Sequence, residues 1–311
     1  MSNYQNLIID GNNFLFRAYY ADIYNKSTGI EKDQSVMRQF FKMLKNLGER
    51  FHPEETYFSW DNKLNPDGYN FRNDLADYKG QRETNETVEQ ILALHLPIQE
   101  ILDAMGVQTV YPWNLEADDV ICWLSKLPGR NLIVSSDKDL LQLINNDVDV
   151  LLATKNLLVN VQNFQMNANI ERSKFVLYKC ILGDTSDNIQ GLKGFGPVKA
   201  KKLAETLSEK EVFCMDDDKD EFLTTEQWTT IETNYKLVDL NYVPATYPEE
   251  IQKYEEQLKA KKVFDMPKLR NLFEQYNLLQ FVRQINDFSR LFNKNRDQPI
   301  EINLDSIMDL L

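Results

Sequence analysis

Asn6-Leu7-Ile8-Ile9-Asp10-Gly11-Asn12 passes from an unbroken apolar run into one carboxylate and a turn. A short run of this kind fits a buried strand, and Gly11-Asn12 ends it before a helix through Tyr20. The pattern recurs along the chain. Residues 56–60 read as a second strand meeting Asp61, 107–111 as a third, 131–135 as a fourth reaching Asp137, and 147–152 as a fifth. Helical patterns lie between them. Residues 33–51 carry Val36, Phe40, Phe41, Leu44 and Leu47 on one face. Residues 86–105 form a long helix that Pro97 must kink or break. Residues 116–127 and 138–144 complete the set. Strands alternating with helices predict an α/β fold with a mostly parallel central sheet flanked by helices. Ligands in such folds bind outside the carboxyl ends of the strands. Asp10, Asp61 and Asp137 all fall there.

After about residue 165 the alternation stops, and residues 171–290 look helical. The expected organisation is an α/β domain at 1–165, a helical domain at 166–291, and a polar linker with an apolar–acidic tail at 292–311.

Nine carboxylates recur at these strand ends and helix starts: Asp10, Asp61, Glu116, Asp118, Asp119, Asp137, Asp139, Asp184 and Asp187. Brought together by a fold, they would repel one another unless cations neutralised them. An oxygen-only donor set suits hard ions such as Mg²⁺ and Mn²⁺, which points to phosphate chemistry. The two histidines, His52 and His95, lie in no catalytic-looking context. A hydrolytic triad and an imidazole-rich metal site are therefore disfavoured. Three widely spaced cysteines suit neither a disulfide framework nor a zinc site.

Of the 311 residues, 42% are hydrophobic, enough for a sizeable core. Apolar runs are too short to span a bilayer. Residues 1–10 lack the basic start and apolar stretch of a signal peptide. A reduced, cytoplasmic protein with no membrane association is expected. The net charge of −13 excludes a uniformly basic surface. It leaves room for local basic patches that contact phosphate.

Several motifs read two ways. Glu116-Ala-Asp-Asp119 opens a helix, and alone it reads as acidic residues favouring the helix dipole. Asp137 is placed as a helix N-cap, or with Asp139 aims at one cation from a turn. Residues 71–82 are basic and aromatic; Arg72, Lys79 and Arg82 either steady a phosphate under attack or belong to a solvated loop. Gly191-Leu-Lys-Gly-Phe-Gly-Pro-Val-Lys-Ala-Lys-Lys202 is a glycine-spaced turn leading into a basic helix. Its glycines allow close backbone approach, and helix-start N–H groups bind phosphate. It reads as a helix-hairpin-helix grip on a DNA backbone.

Together these blocks resemble the 5′-nuclease superfamily: flap endonucleases, the 5′-nuclease domain of bacterial DNA polymerase I, and phage 5′-exonucleases of the RNase H type. The matching stretches are 7–21, 57–61, 71–82, 116–121, 135–143 and 181–202, in the family's order. The resemblance implies a PIN-like 5′-nuclease fold with an arch at about 62–95. It implies two Mg²⁺ ions, replaceable by Mn²⁺, about 4 Å apart. Asp10, Asp61, Glu116 and Asp118 would serve the first ion. Asp137, Asp139, Asp184 and Asp187 would favour the second, with Asp119 bridging or supporting. Lys79 resembles the family's catalytic lysine, assisted by Arg82, and Arg17 a basic residue near the scissile phosphate. Arg72, Tyr78, Gly191, Lys193, Gly194, Gly196, Lys199, Lys201 and Lys202 would contact DNA, and K⁺ would sit at the hairpin turn. One departure is that Arg82 is followed by the acidic run Glu83-Thr-Asn-Glu-Thr-Val-Glu89.

The implied activity is metal-dependent hydrolysis from the 5′ end of RNA primers or DNA flaps on duplex DNA during replication. RNase H activity would accompany it. The implied protein is a stand-alone, monomeric enzyme of phage-like size, in the host cytoplasm if phage-encoded. A non-catalytic DNA-structure binder would be expected to have lost acidic residues. A PIN-type ribonuclease would lack the 191–202 turn and the 78–82 block. In the tail, Leu304, Ile307, Met308 and Leu311 recur at helical spacing. They either dock on a sliding clamp or single-stranded-DNA-binding protein, or pack on the chain itself.

Overall fold

The computed structural model describes residues 4–21, 28–61, 70–75, 78, 85–207, 223–260 and 262–292. β1 (Asn6–Asp10) leads into α1 (Gly11–Ala21), followed by α2 (Gly29–Phe51) and β2 (Glu55–Ser59). Then come α3 (Glu86–Ala93), α4 (His95–Ala104), β3 (Gln108–Val110), α5 (Ala117–Leu124) and β4 (Asn131–Ser135). A 3₁₀ turn at Asp139–Leu143 precedes β5 (Val148–Leu152) and β6 (Leu157–Val159). Beyond these lie α6 (Phe164–Ala168), α7 (Phe175–Leu182), the short strands β7 (Gly183–Asp184) and β8 (Ile189–Gln190), and α8 (Pro197–Thr206). The chain continues through α9 (Thr225–Val238), α10 (Tyr242–Thr246), α11 (Pro248–Lys259), α12 (Met266–Gln275), α13 (Leu279–Arg283) and α14 (Ile285–Phe292).

The main sheet has the order β3-β2-β1-β4-β5-β6, parallel except for β6. The expected α/β fold is thus present. β6 was not anticipated: three antiparallel residues are too few to show a period. Chain order reverses beside β1, which pairs with β2 on one side and β4 on the other. This is the switch point where doubly wound sheets bind ligands. Asp10 pairs in register with Ser59, and Ile9 with Val134, so the three strand ends stand level.

Strand residues alternate between two cores. Ile8, Tyr57 and Ile133 face one, together with residues of α5 and α7–α11. Leu7, Ile9, Phe58, Leu132 and Val134 face the other, with α1–α4 and α12–α14. A sheet covered on both faces needs strands that are apolar throughout, which the first run of sequence supplies. The segment expected to form a second domain thus shares both cores with the sheet. The last helices are fastened where Asp265 N–H donates to Ala104 O at 2.8 Å and Lys262 meets Asp103.

The long helix predicted over 86–105 is two helices broken at Leu94 rather than at Pro97. Pro97 is the third residue of α4, in the first turn, where its missing N–H costs no hydrogen bond. The helix predicted over 138–144 is the 3₁₀ turn. Among the described residues no helix is long and apolar enough to cross a membrane.

Candidate active site

A cavity of about 310 Å³ opens at the carboxyl edge of β1, β2 and β4. Asp10, Asp61, Glu116, Asp118, Asp137, Asp139 and Asp187 line it. The fold therefore brings seven of the nine carboxylates to one place.

Asp10 ends β1 and accepts hydrogen bonds from Asn13 N at 3.0 Å and Ser135 Oγ at 2.8 Å. Burial pushes its carboxyl from the ordinary 3.8 to about 7, and Asp61 and Asp137 add to the rise. Gly11 follows because there is no room for more. A Cβ there would stand 2.3 Å from the ring of Trp60, which is stacked against Phe40 and Phe58. Asp61 accepts from Ala117 N at 3.0 Å, the first N–H of α5, and from Asn12 Nδ2 at 3.1 Å. Helix N–H groups aimed at a carboxylate favour its charged form.

Glu116 caps α5, and Asp119 N3 completes a reciprocal capping box whose carboxylate accepts from Glu116 N at 2.9 Å. Asp119 is fully buried. Arg72 donates from Nη1 and Nη2 to its two oxygens, both at 2.7 Å, and from Nε to Leu237 O. This corrects two expectations. Asp119 is not available as a metal ligand, because both oxygens are taken by an arginine and a helix N-cap. Arg72 is not a DNA contact, because its guanidinium is wholly enclosed and spent on that pair. Tyr78 is buried, with its hydroxyl 3.0 Å from Glu116 Oε2 and 3.3 Å from Asp187 Oδ2. It lines the cavity together with those carboxylates.

Asp137 and Asp139 form a turn in which Asp139 N donates to Asp137 Oδ1 at 2.8 Å. Asp184 lies outside the cavity lining. Its Oδ1 accepts from Ser186 N and Oγ, and its Oδ2 from Lys179 Nζ at 2.8 Å. The site opposes burial, which alone would raise the Asp184 carboxyl; Lys179 and Ser186 instead bring it down to about 2. Lys179 also pairs with Asp139 at 2.8 Å. No motif pointed to Lys179. The available signal was a lone charge in the otherwise apolar helix Phe175–Leu182.

Gly191 was expected to let a backbone approach DNA. Its missing side chain serves the chain itself, since a Cβ would stand 2.0 Å from Leu182 O. Gly183 faces it from the left-handed region, at φ 76°. Gly194 and Gly196 meet no neighbour, and Lys193, Lys199 and Lys202 around the start of α8 are exposed. Lys201 is half-buried beside Asn169. Arg17 sits half-buried on α1 and does not line the cavity. Lys79, Arg82, the first two residues of the acidic run (83–84) and the tail at 302–311 lie outside the described residues, while Asn85 caps α3 and Glu86 and Glu89 lie in its first turn.

The polar groups lining it are carboxylates, amides, the Tyr78 phenol and the Arg72 guanidinium, without thiol or imidazole. Among the described residues no three acidic groups close on one point to cage a bare ion. Such a basin fits small hard cations that keep several waters and take few protein ligands.

The family described as 5′-3′ exonuclease, N-terminal resolvase-like domain, matches residues 5–171. A 5′-3′ exonuclease of Mycoplasmopsis pulmonis is 34% identical over 211 residues, covering 66% of this chain and 67% of that protein. Another from Aquifex aeolicus is 27% identical over 290 residues, covering 91% and 96%. A bacteriophage T5 flap endonuclease, solved with DNA and metal ions, superposes with a TM-score of 0.63 at 18% identity. It covers 88% of this chain and 99% of that one. At that identity the two share a fold.

Proposed function

The chain belongs to the 5′-3′ exonuclease family and is a nuclease, and on that premise we propose that it hydrolyses phosphodiester bonds from the 5′ end of DNA flaps or RNA primers on duplex DNA, using two divalent metal ions. The observation that carries this reading is the seven carboxylates lining one cavity at the switch point of the sheet. Asp10, Asp61, Glu116 and Asp118 would hold one Mg²⁺ or Mn²⁺, and Asp137, Asp139 and Asp187 the other. Bound there, the ions would supply Lewis-acid stabilisation of phosphate charge and a more acidic water.

The chain's own groups do the rest. Tyr78 holds Glu116 and Asp187 toward one another, and the buried Arg72–Asp119 pair underpins α5 so that Glu116 and Asp118 keep their places. Ser135 and Asn13 fix the Asp10 carboxyl. The exposed lysines around Gly194 and Gly196 would contact the duplex backbone, with the N–H groups of Val198 and Lys199, behind Pro197 at the start of α8, offered to a phosphate. Lys79 and Arg82 follow Tyr78 in sequence and would meet the phosphate under attack. RNase H activity, K⁺ at the hairpin turn and docking of residues 302–311 on a clamp or single-stranded-DNA-binding protein belong to the same reading.

The test is purified protein on a labelled 5′ flap and on an RNA–DNA hybrid, with Mg²⁺ or with EDTA. Mg²⁺-dependent release of 5′-phosphorylated products is expected. Cleavage of neither substrate overturns the proposal. Asp137→Asn is expected to lose cleavage by a factor of about 10² or more while retaining duplex binding.

A further inference from the structure

Lys179 is the only charged residue in α7. Its Nζ stands 2.8 Å from Asp139 Oδ1 and 2.8 Å from Asp184 Oδ2. The two carboxylates come from different parts of the chain, one from the 3₁₀ turn after β4 and the other from β7. The lysine side chain is 16% exposed and its partners 23% and 21%. A half-buried ammonium shared by two carboxylates is screened far less than a surface pair. Asp139 lines the cavity, whereas Asp184 does not, and the other Asp184 oxygen is occupied by Ser186.

One tethered positive charge thus already serves the side of the cavity where Asp137, Asp139 and Asp187 gather. An incoming cation must push the ammonium off Asp139 or settle beside it against like-charge repulsion. The opposite side, around Asp10, Asp61 and Glu116, has a different inventory. Arg72 lies 3.7 Å from Glu116 Oε2, but its two forked nitrogens are committed to Asp119 at 2.7 Å. Asp10, buried at the end of β1, accepts from two neutral donors, Asn13 N and Ser135 Oγ. Lys179 thus places an ammonium directly on a cavity-side carboxylate that a divalent cation would use.

We propose that Lys179 is a tethered counter-ion that joins Asp139 to Asp184 in the metal-free protein and competes with a divalent cation for the Asp137–Asp139–Asp187 side of the cavity, so that metal uptake on this side is weakened. The proposal rests on the divalent-ion reading above. It makes Lys179 a positioning residue that sets when the site is fully loaded.

The experiment uses the full chain, stripped of metal and free of nucleic acid. Mn²⁺ is titrated in while free ion is followed by electron paramagnetic resonance and heat by calorimetry. The wild-type protein is expected to show a tighter and a weaker site. In Lys179→Met, which keeps the stem and removes the charge, the weaker site should tighten on the order of tenfold. Lys179→Arg should keep it weak. Metal-free Lys179→Met should unfold at a lower temperature than the wild type, because Asp139 and Asp184 then face each other unneutralised, and saturating Mn²⁺ should close that gap. An unchanged or weakened second site, or a gap that persists in Mn²⁺, assigns Lys179 a purely structural role and overturns the proposal. A wild-type protein that takes up no Mn²⁺ overturns the divalent-ion reading itself, a distinct outcome. If circular dichroism shows that Lys179→Met does not fold, Lys179→Gln is read by the same criteria.

Discussion

Asp10 illustrates how one residue links folding to site chemistry. Its carboxyl rises from 3.8 to about 7 because β1 buries it, with Asp61 and Asp137 adding to the effect. A carboxyl with a higher value in the folded chain holds its proton more tightly there than when unfolded. Protonation therefore favours folding, and the benefit is lost as pH climbs from about 4 toward 7. Metal-free Asp10→Asn should gain on the wild type across that window. Above pH 7 it should be more stable by on the order of 2 kcal/mol, discounted from the full shift because neighbouring carboxylates titrate with it. Urea denaturation at a series of pH values in EDTA measures this; a difference that does not vary with pH refutes it. The sequence showed which carboxylates end strands. It did not show which would be spent on other residues. Asp118 and Asp119 are adjacent and alike on paper. The helical rotation between them sends one to the cavity and the other into Arg72, a partner 47 positions away.

At the scale of elements, strands were legible almost to the residue, since a parallel strand buried on both faces has to be apolar throughout. β4 matches its predicted bounds. The β7–β8 hairpin was not legible, because two-residue strands have no period to read. Its closure depends on glycines that sequence alone suggests are alike. Gly183 and Gly194 both have positive φ, but a Cβ at Gly183 would stand 2.3 Å from Gly191 N, while Gly194 faces open space. Gly183→Ala should therefore cost upwards of about 2 kcal/mol through strain and overlap, and Gly194→Ala only about 1 kcal/mol through strain. Thermal unfolding of the two variants side by side checks the order; equal losses would contradict this account of the hairpin.

Across the whole molecule, the change from alternating elements to helices near residue 165 looked like a domain boundary. The helices beyond it share both cores with the sheet. The last helices close the face of the sheet that carries α2 and α4. Phe273 is fully buried there, with ring centroids 6.0 Å from Phe41, 5.6 Å from Phe281 and 5.4 Å from Phe288. Local pattern cannot reveal which sheet face a late helix will cover, because that contact spans more than two hundred residues. Phe273→Ala should cost about 3–5 kcal/mol. The loss should appear as one cooperative transition seen identically by far-ultraviolet circular dichroism and tryptophan fluorescence. Two separated transitions would mean that the helical segment folds independently.

The seven carboxylates of the cavity are drawn from positions 10 to 187, on five separate segments of the chain. No shorter stretch of the chain contains them all. While the protein is being made, the growing polypeptide can fold its first strands on the ribosome and still present only a partial cluster of acids. The complete set assembles only after residue 187 has emerged, so the earlier part of the chain is made without a finished cutting site.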